Sequence, residues 1–220
     1  MIECKDVSKA YQIGDMVTEA VRNICFKVEV GEFLAILGHS GSGKSTLLSI
    51  IGGLTRPSGG QVAVDGEDIW QWSDNERARF RNCTIGFVFQ FASLIPTLTV
   101  LDNIALPSLF GEGMTRAARL RARDLAGIVG LSDKVDSYPS EISGGQQRRV
   151  AISRAFLNDP KIVLADEPTG DLDEATEAQV MDLFTGMCRQ HKTTILMVTH
   201  NRDLIKSADR TLVMKDGGIL

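Results

Sequence analysis

The sequence predicts an α/β fold that opens with a β-rich stretch and carries an inserted helical segment in its middle. Three observations predict it. Phe33-Leu34-Ala35-Ile36-Leu37 is apolar throughout, as a strand covered on both faces of a sheet is, and a glycine loop and a helical pattern follow at once. The apolar, β-branched segments 162–165 and 194–198 flank a helical pattern over 174–187, the layout of a βαβ unit. Between these regions, about 91–159, the pattern is helical.

Taken in order, short alternating segments at 2–7, 21–28 and 61–64 read as strands beside the buried one at 33–37. Gly14-Asp15, Gly31-Glu32 and Pro57-Ser58-Gly59-Gly60 punctuate them as turns. The alternation from Met1 to Asp6 resembles an edge strand rather than a secretion signal. Residues 45–52 continue the glycine loop as a helix, and Ile85-Gly86-Phe87-Val88-Phe89 is another strand of buried type. A helix over 115–130 turns Ala118, Leu125, Ile128 and Val129 inward, and the arginines at 116, 119, 121 and 123 form a solvated face. No linker divides the chain. The expectation is one domain, with core and β subdomain at about 1–90 and 160–220 and a helical subdomain at about 91–159.

Bulk properties narrow the function classes. With 220 residues, 43% hydrophobic and 24% charged, the chain has the balance of a soluble globular protein. A net charge of −4 and a pI of about 5.4 leave no whole-protein basic field for nucleic acid. Cys4, Cys25, Cys83 and Cys188 are scattered, without zinc-ligand spacing, and are expected to be reduced and mostly buried, as suits the cytosol. No apolar run approaches the roughly 20 residues that span a bilayer, so any membrane part is expected from a partner.

Gly38-His39-Ser40-Gly41-Ser42-Gly43-Lys44-Ser45-Thr46 fits G-x-x-x-x-G-K-[ST]. Glycines there turn backbone N–H groups inward around a triphosphate, and the next helix points its positive end at the same charge. Lys44 is expected at the β- and γ-phosphates, Ser45 on Mg²⁺ and Thr46 on the α-phosphate. The strand at 162–165 ends in Asp166-Glu167, placing carboxylates at the sheet edge where α/β ligands bind. Asp166 is expected to hold Mg²⁺ and Glu167 to polarise the attacking water. His200 ends the next strand and is expected at the γ-phosphate, while the Gln90 amide is expected near metal or water. His39 and His191 have no such placement. Ser143-Gly144-Gly145-Gln146 reads as a second anion nest, with a helix starting near Gln146. A second nest in one chain predicts that it serves the nucleotide of another copy, in a nucleotide-sandwich dimer.

Over essentially its whole length the sequence resembles the ATP-binding subunits of ABC transporters. Gln90 matches the family's Q-loop, Ile142 to Gln146 its LSGGQ signature, Gly170-Asp171-Leu172-Asp173 its D-loop and His200 its switch histidine. Tyr11 stands where the family stacks an aromatic ring on adenine. The resemblance implies a P-loop NTPase (RecA-like) core with an antiparallel β subdomain and an inserted α-helical subdomain. It also implies that Asp173 belongs to the nucleotide site, that a head-to-tail dimer hydrolyses ATP, and that a membrane subunit receives the work at the cytoplasmic face. Ile142 replaces the usual leucine, and Gly170-Asp171 replaces the common Ser-Ala. The latter, with Gly52-Gly53-Leu54, Phe89-Gln90-Phe91 and Leu94-Ile95-Pro96, resembles the lipoprotein-release, macrolide-exporter and cell-division branch. There, Phe91, Leu94 and Ile95 are candidates for a groove that takes a coupling helix, or else pack core against lobe. Two other readings use fewer of these residues. A soluble ABC-type ATPase acting on ribosomes or DNA would need fused or coiled-coil segments, and a small-molecule kinase leaves Ser143 to Gln146 without a role.

Overall fold

Alternation governs the first part of the chain. In the computed structural model, which describes residues 1–14, 16–111, 113–170 and 172–220, β1 (Ile2–Ile13) and β2 (Met16–Val28) pair antiparallel. β1 also pairs antiparallel with β4 (Gly59–Val64), and β4 with the short β5 (Glu67–Asp68), giving the order β2-β1-β4-β5. β1 is therefore interior rather than an edge strand: alternation reports one covered face, which inner strands of a one-sided antiparallel sheet share with edges. Ile2, Cys4, Val7, Val21, Ile24, Val28, Val62 and Val64 are its buried residues. Asp6, at φ 51°, lies within a register shift between Cys4 and Val7, a bulge that lets Val7 join Cys4 in the core.

The chain divides into two compact units. The first is Met1–Arg81 with Thr194–Leu220. Beside the antiparallel sheet it holds β3 (Phe33–Leu37), paired in parallel with β8 (Thr194–Thr199) on one side and β9 (Arg210–Lys215) on the other. β10 (Gly218–Ile219) returns antiparallel along β9. All six residues of β8 are buried, as are Phe33 to Ile36, the continuous apolar pattern of a sheet covered on both faces. α1 (Lys44–Ile51) buries Leu47, Leu48, Ile50 and Ile51. α2 (Asp74–Cys83) buries only Phe80 and lacks a periodic stripe, so hydrophobic spacing does not reveal it. Its sequence sign is the capping box Ser73-x-x-Glu76: the Glu76 amide donates to Ser73 Oγ at 3.3 Å and the Ser73 amide to Glu76 Oε2 at 2.8 Å.

The second unit is Asn82–Thr193. β6 (Ile85–Val88) runs parallel to β7 (Ile162–Asp166), with Val88 opposite Ala165. Around them lie α3 (Val100–Ala105), α4 (Arg116–Ile128), α5 (Gly144–Ala155) and α6 (Glu174–His191). Thr115 caps α4, whose inward face is Ala122, Leu125 and Ala126, with Val129 just beyond. Ile128, expected inside, is 45% exposed because it falls a third of a turn off that stripe. Asn103 on α3 is completely buried and its amide donates to the carbonyls of Ile95, Leu98 and Thr99, while its Oδ1 accepts from the Ile95 amide. The loop after β6 is thus stapled to α3. All four cysteines are free thiols. Cys4 and Cys188 are buried, and burial pushes the Cys4 thiol up to about 12 and that of Cys188 higher still. Cys25 and Cys83 are exposed, so the expectation of mostly buried thiols holds for only two of them.

Candidate functional site

The Gly38–Thr46 loop prolongs the parallel ladder before it turns. Leu37 stands opposite Thr199, and the Gly38 amide donates to the Thr199 carbonyl at 3.1 Å. The Ser42 amide then bonds the His39 carbonyl at 3.2 Å, and α1 begins at Lys44. Gly43 has φ 99°, and a Cβ there would stand 2.0 Å from the Ala20 carbonyl oxygen of β2. Only glycine fits such backbone-to-backbone contact at that φ. On another side the Gly217 amide donates to the Ser42 carbonyl at 3.1 Å, and Arg22 holds Gly217 and Asp216 in turn. The loop is clamped from two elements before any ligand arrives.

Lys44, 5% exposed, folds over this loop and donates from Nζ to the carbonyls of Gly38 at 2.8 Å and His39 at 2.9 Å. Ser42 Oγ is buried with no hydrogen-bond partner among the described residues. A buried cation, an orphaned hydroxyl and a helix N-terminus without a side-chain cap form a donor set that suits a polyphosphate. Ser40, Gly41 and Ser45 are exposed, and Thr46 is half-buried. His200 is exposed and leaves β8 directly after buried Thr199, on the same sheet edge as the loop. Tyr11 on β1 is 39% exposed, with Lys9 Nζ 5.0 Å from its ring centre.

The second unit gathers the other motifs. The parallel β6–β7 register brings the ends of both strands level, and Gln90 Nε2 approaches Glu167 Oε2 at 3.5 Å. Glu167 has φ 45°, a strained backbone for a non-glycine residue that turns the chain sharply out of β7 after half-buried Asp166. The Gly170 amide donates back to the Glu167 carbonyl at 3.0 Å. Asp173 caps α6, accepting from the Thr176 amide at 3.0 Å and the Thr176 hydroxyl at 2.7 Å, bonds that hold its carboxyl below the usual range. Asp171 lies outside the described residues.

Ser143 carries a role beyond the expected nest. α5 starts at Gly144, two residues before Gln146, and Ser143 is its N-cap. Ser143 Oγ accepts from the Gln146 amide at 3.3 Å, while Gln146 Oε1 accepts from the Ser143 amide at 2.9 Å. The serine oxygen caps its own helix as an acceptor, because the sequence S-x-x-Q satisfies two orphan amides at once, and its O–H is left as a donor. What the helix offers outward is its positive end at exposed Ser143 and Gly144. Gly145 is buried, and a Cβ there would meet Thr176 Cγ2 at 2.6 Å. Ile142 is buried at 8% exposure, so its side chain packs inward, away from the exposed end.

The pattern reading passed over Arg148 and Arg154 on α5. Arg148, 5% exposed, donates to the carbonyls of Phe89 at 2.8 Å and Gly170 at 3.0 Å. Arg154 donates to those of Ser93 at 2.8 Å and Ala92 at 2.7 Å. The available signal was a pair of arginines, 148 and 154, bracketing the apolar run Val150, Ala151 and Ile152 of one helix, which demands acceptors. Of the expected magnesium set, Ser45 lies in the first unit, and Gln90 and Asp166 lie in the second. No cluster of three or more metal-ligating side chains of the His, Cys, Asp or Glu type occurs among the described residues.

Comparison with known proteins gives a consistent answer. The ABC transporter family profile matches residues 21–170. An uncharacterised ABC transporter ATP-binding protein of Bacillus subtilis, YvrO, is 44% identical over all of this chain and 96% of its own length. The lipoprotein-releasing system ATP-binding protein LolD 1 of Caulobacter vibrioides is 44% identical over 99% of this chain and 93% of its own. Among solved structures, the dimeric post-hydrolysis state of the ATP-binding cassette MJ0796 with ADP and Pi superposes with a TM-score of 0.89. It is 38% identical over 100% of this chain and 96% of that one.

Proposed function

The chain belongs to the ABC transporter family as an ATP-binding subunit with a P-loop ATPase fold, and from that premise we propose that two copies form paired composite ATP sites. In this reading the phosphate loop of one copy and the α5 N-terminus of the other enclose each nucleotide. The carrying observation is that helix end: Ser143 and Gly144 are exposed, and Ser143 Oγ, which accepts from the Gln146 amide, keeps its own proton to donate. The site then offers an anion the positive end of the helix and its glycine backbone. The likeness to a cassette dimer bound to ADP and Pi supports the arrangement.

Residue roles follow from chemistry and resemblance. Lys44 neutralises the β- and γ-phosphates, Thr46, the Ser42 hydroxyl and the loop amides of Ser40, Gly41 and Gly43 hold the phosphate chain, Gly38 opens the loop from the β3 ladder, and Tyr11 stacks on adenine. Glu167 accepts a proton from the attacking water as general base, and Gln90 and His200 fix that water and the γ-phosphate. Ser143, Gly144, Gly145, Gln146 and Asp173 line the partner's side. Ser45, Asp166 and Gln90 would hold Mg²⁺, which supplies charge neutralisation on the phosphates when bound.

No helix among the described residues is long and apolar enough to cross a membrane. We place the subunit peripherally at the cytoplasmic face, on an integral membrane partner. The docking surface we assign to that partner comprises Phe91, 65% exposed, and Ile95, 37% exposed, beside half-buried Leu94. Their exposure favours docking over internal packing. The likeness to LolD 1 and the Gly170-Asp171 D-loop favour the lipoprotein-release type of partner.

Glu167→Gln tests the site. It removes the base while leaving every phosphate contact, so ATP is expected to accumulate a stable dimer by light scattering, with turnover down by about 10²-fold or more. A variant that stays monomeric with saturating ATP overturns the composite site.

A further inference from the structure

Three segments that the proposed mechanism uses separately converge on one side chain. Arg148 lies in the second turn of α5, on the helix whose N-terminus carries Ser143 and Gly144. Its guanidinium reaches two loops that are far apart in sequence. Nη1 donates to the carbonyl of Phe89, the residue before Gln90, and Nη2 to the carbonyl of Gly170, three residues after Glu167. Gly170 itself sits against both groups: a Cβ there would be 3.7 Å from Gln90 Cγ and 3.9 Å from Glu167 Cβ.

The planar fork of an arginine fixes the separation and direction of its two donors, which a flexible ammonium does not. Each bond is charge-assisted, and the guanidinium is shielded from water, so neither carbonyl is readily exchanged for solvent. A second contact locks the first turn of the same helix. Gly145 packs at its Cα against Thr176, whose hydroxyl is held by Asp173 at 2.7 Å. α5 therefore cannot tilt at its N-terminus without moving Gly170, Asp173 and the start of the Gln90 loop.

We propose that Arg148 is a positioning residue that holds the α5 N-terminus, Gln90 and the turn after Glu167 as one block. Contact between α5 and nucleotide in one composite site then aligns Glu167 of the same chain in the other site. The inference deepens the composite-site reading and rests on it. It makes Arg148 the mechanical link between the two sites of a dimer, acting through backbone carbonyls rather than by touching ATP.

The test uses Arg148→Lys, which keeps the charge but not the fork, and Arg148→Met, which keeps the bulk alone. Steady-state ATPase is measured against ATP concentration, with Tm and the dimerisation of Glu167→Gln as companions. The expected result in both variants is kcat lower by about 10-fold or more with KM changed less than about 2-fold, the split that marks lost alignment rather than lost binding. The Hill coefficient is expected to move toward one. Should Arg148→Met fail to fold, Arg148→Lys carries the same test. Wild-type kcat and Hill coefficient in a folded Arg148→Lys overturn the link, and if Glu167→Gln still dimerises the composite site stands without it. Full rescue by lysine, with only Tm lowered in the methionine variant, also overturns it, because charge and packing would then suffice. A monomeric Glu167→Gln overturns both readings.

Discussion

A methyl group at position 145 would stand 2.6 Å from Cγ2 of Thr176, while one at position 43 would stand 2.0 Å from a backbone oxygen. The two glycines therefore fail differently when replaced. In Gly145→Ala the obstacle is the end of a side chain, and the expected cost is about 1–3 kcal/mol of overpacking. Adding Thr176→Ser removes that methyl but keeps the hydroxyl that Asp173 holds, so the double variant is expected to recover most of the lost Tm. Strictly additive losses would show that the contact is not the cause. In Gly43→Ala the obstacle is the Ala20 carbonyl and φ is 99°, so no single side-chain change offers relief. That variant is expected to lose ATP binding, measured by titration with a fluorescent nucleotide, together with stability.

Elements are positioned by polar devices at their ends. Asn103, itself fully buried, joins α3 to the 95–99 loop through three donated bonds and one accepted bond. Asn103→Ala removes the partner of the Ile95 amide and the side-chain donor of the Leu98 carbonyl, while the Ile95 and Thr99 carbonyls keep the Leu98 and Asn103 backbone amides, and an expected loss of about 1–3 kcal/mol appears as a lower Tm. The loop bearing exposed Ile95 is then expected to show faster hydrogen exchange than α4 or α6. α6 depends on Asp173 in a pH-dependent way. Hydrogen bonds from Thr176, the hydroxyl first, lower its pKa, so the cap is fully present above the ordinary aspartate range and is lost as pH falls through the lower folded value. Protection of the Thr176 amide is expected to drop in that acid window, and Asp173→Asn is expected to flatten the dependence, since a neutral amide oxygen caps at any pH.

At the scale of the molecule, the phosphate loop and the α5 end belong to different compact units, and the proposed mechanism needs a second copy to complete each site. Lys44→Ala and Ser143→Arg homodimers are each expected to be inactive. Mixing them makes heterodimers in which one site combines an intact Lys44 loop with an intact Ser143 helix. If sites turned over independently, random pairing would restore at most about a quarter of the wild-type rate; the intact site draws its Glu167 from the Ser143→Arg chain, so a link through Arg148 lowers turnover further while ATP binding at that site returns. Mixed protein that gains neither ATP-driven dimerisation nor turnover, with both proteins folded, counts against shared sites.

The covered strands at 33–37, 162–165 and 194–198 were legible because continuous apolar runs have few other uses, and the phosphate loop because its spacing follows from wrapping a backbone around charge. Most of α2 escaped that reading because one buried phenylalanine makes no period. Sequence alone determined the phosphate-binding chemistry, the acids after β7 and the family, since these rest on local order along the chain. Tertiary structure alone decided that β1 is interior and that Gly145 answers to Thr176. It also placed Arg148 between Phe89 and Gly170, 59 and 22 residues away. The physical reason is that long-range hydrogen bonds to backbone carbonyls leave no trace in residue type: every residue has a carbonyl, and only the fold chooses which one an arginine meets.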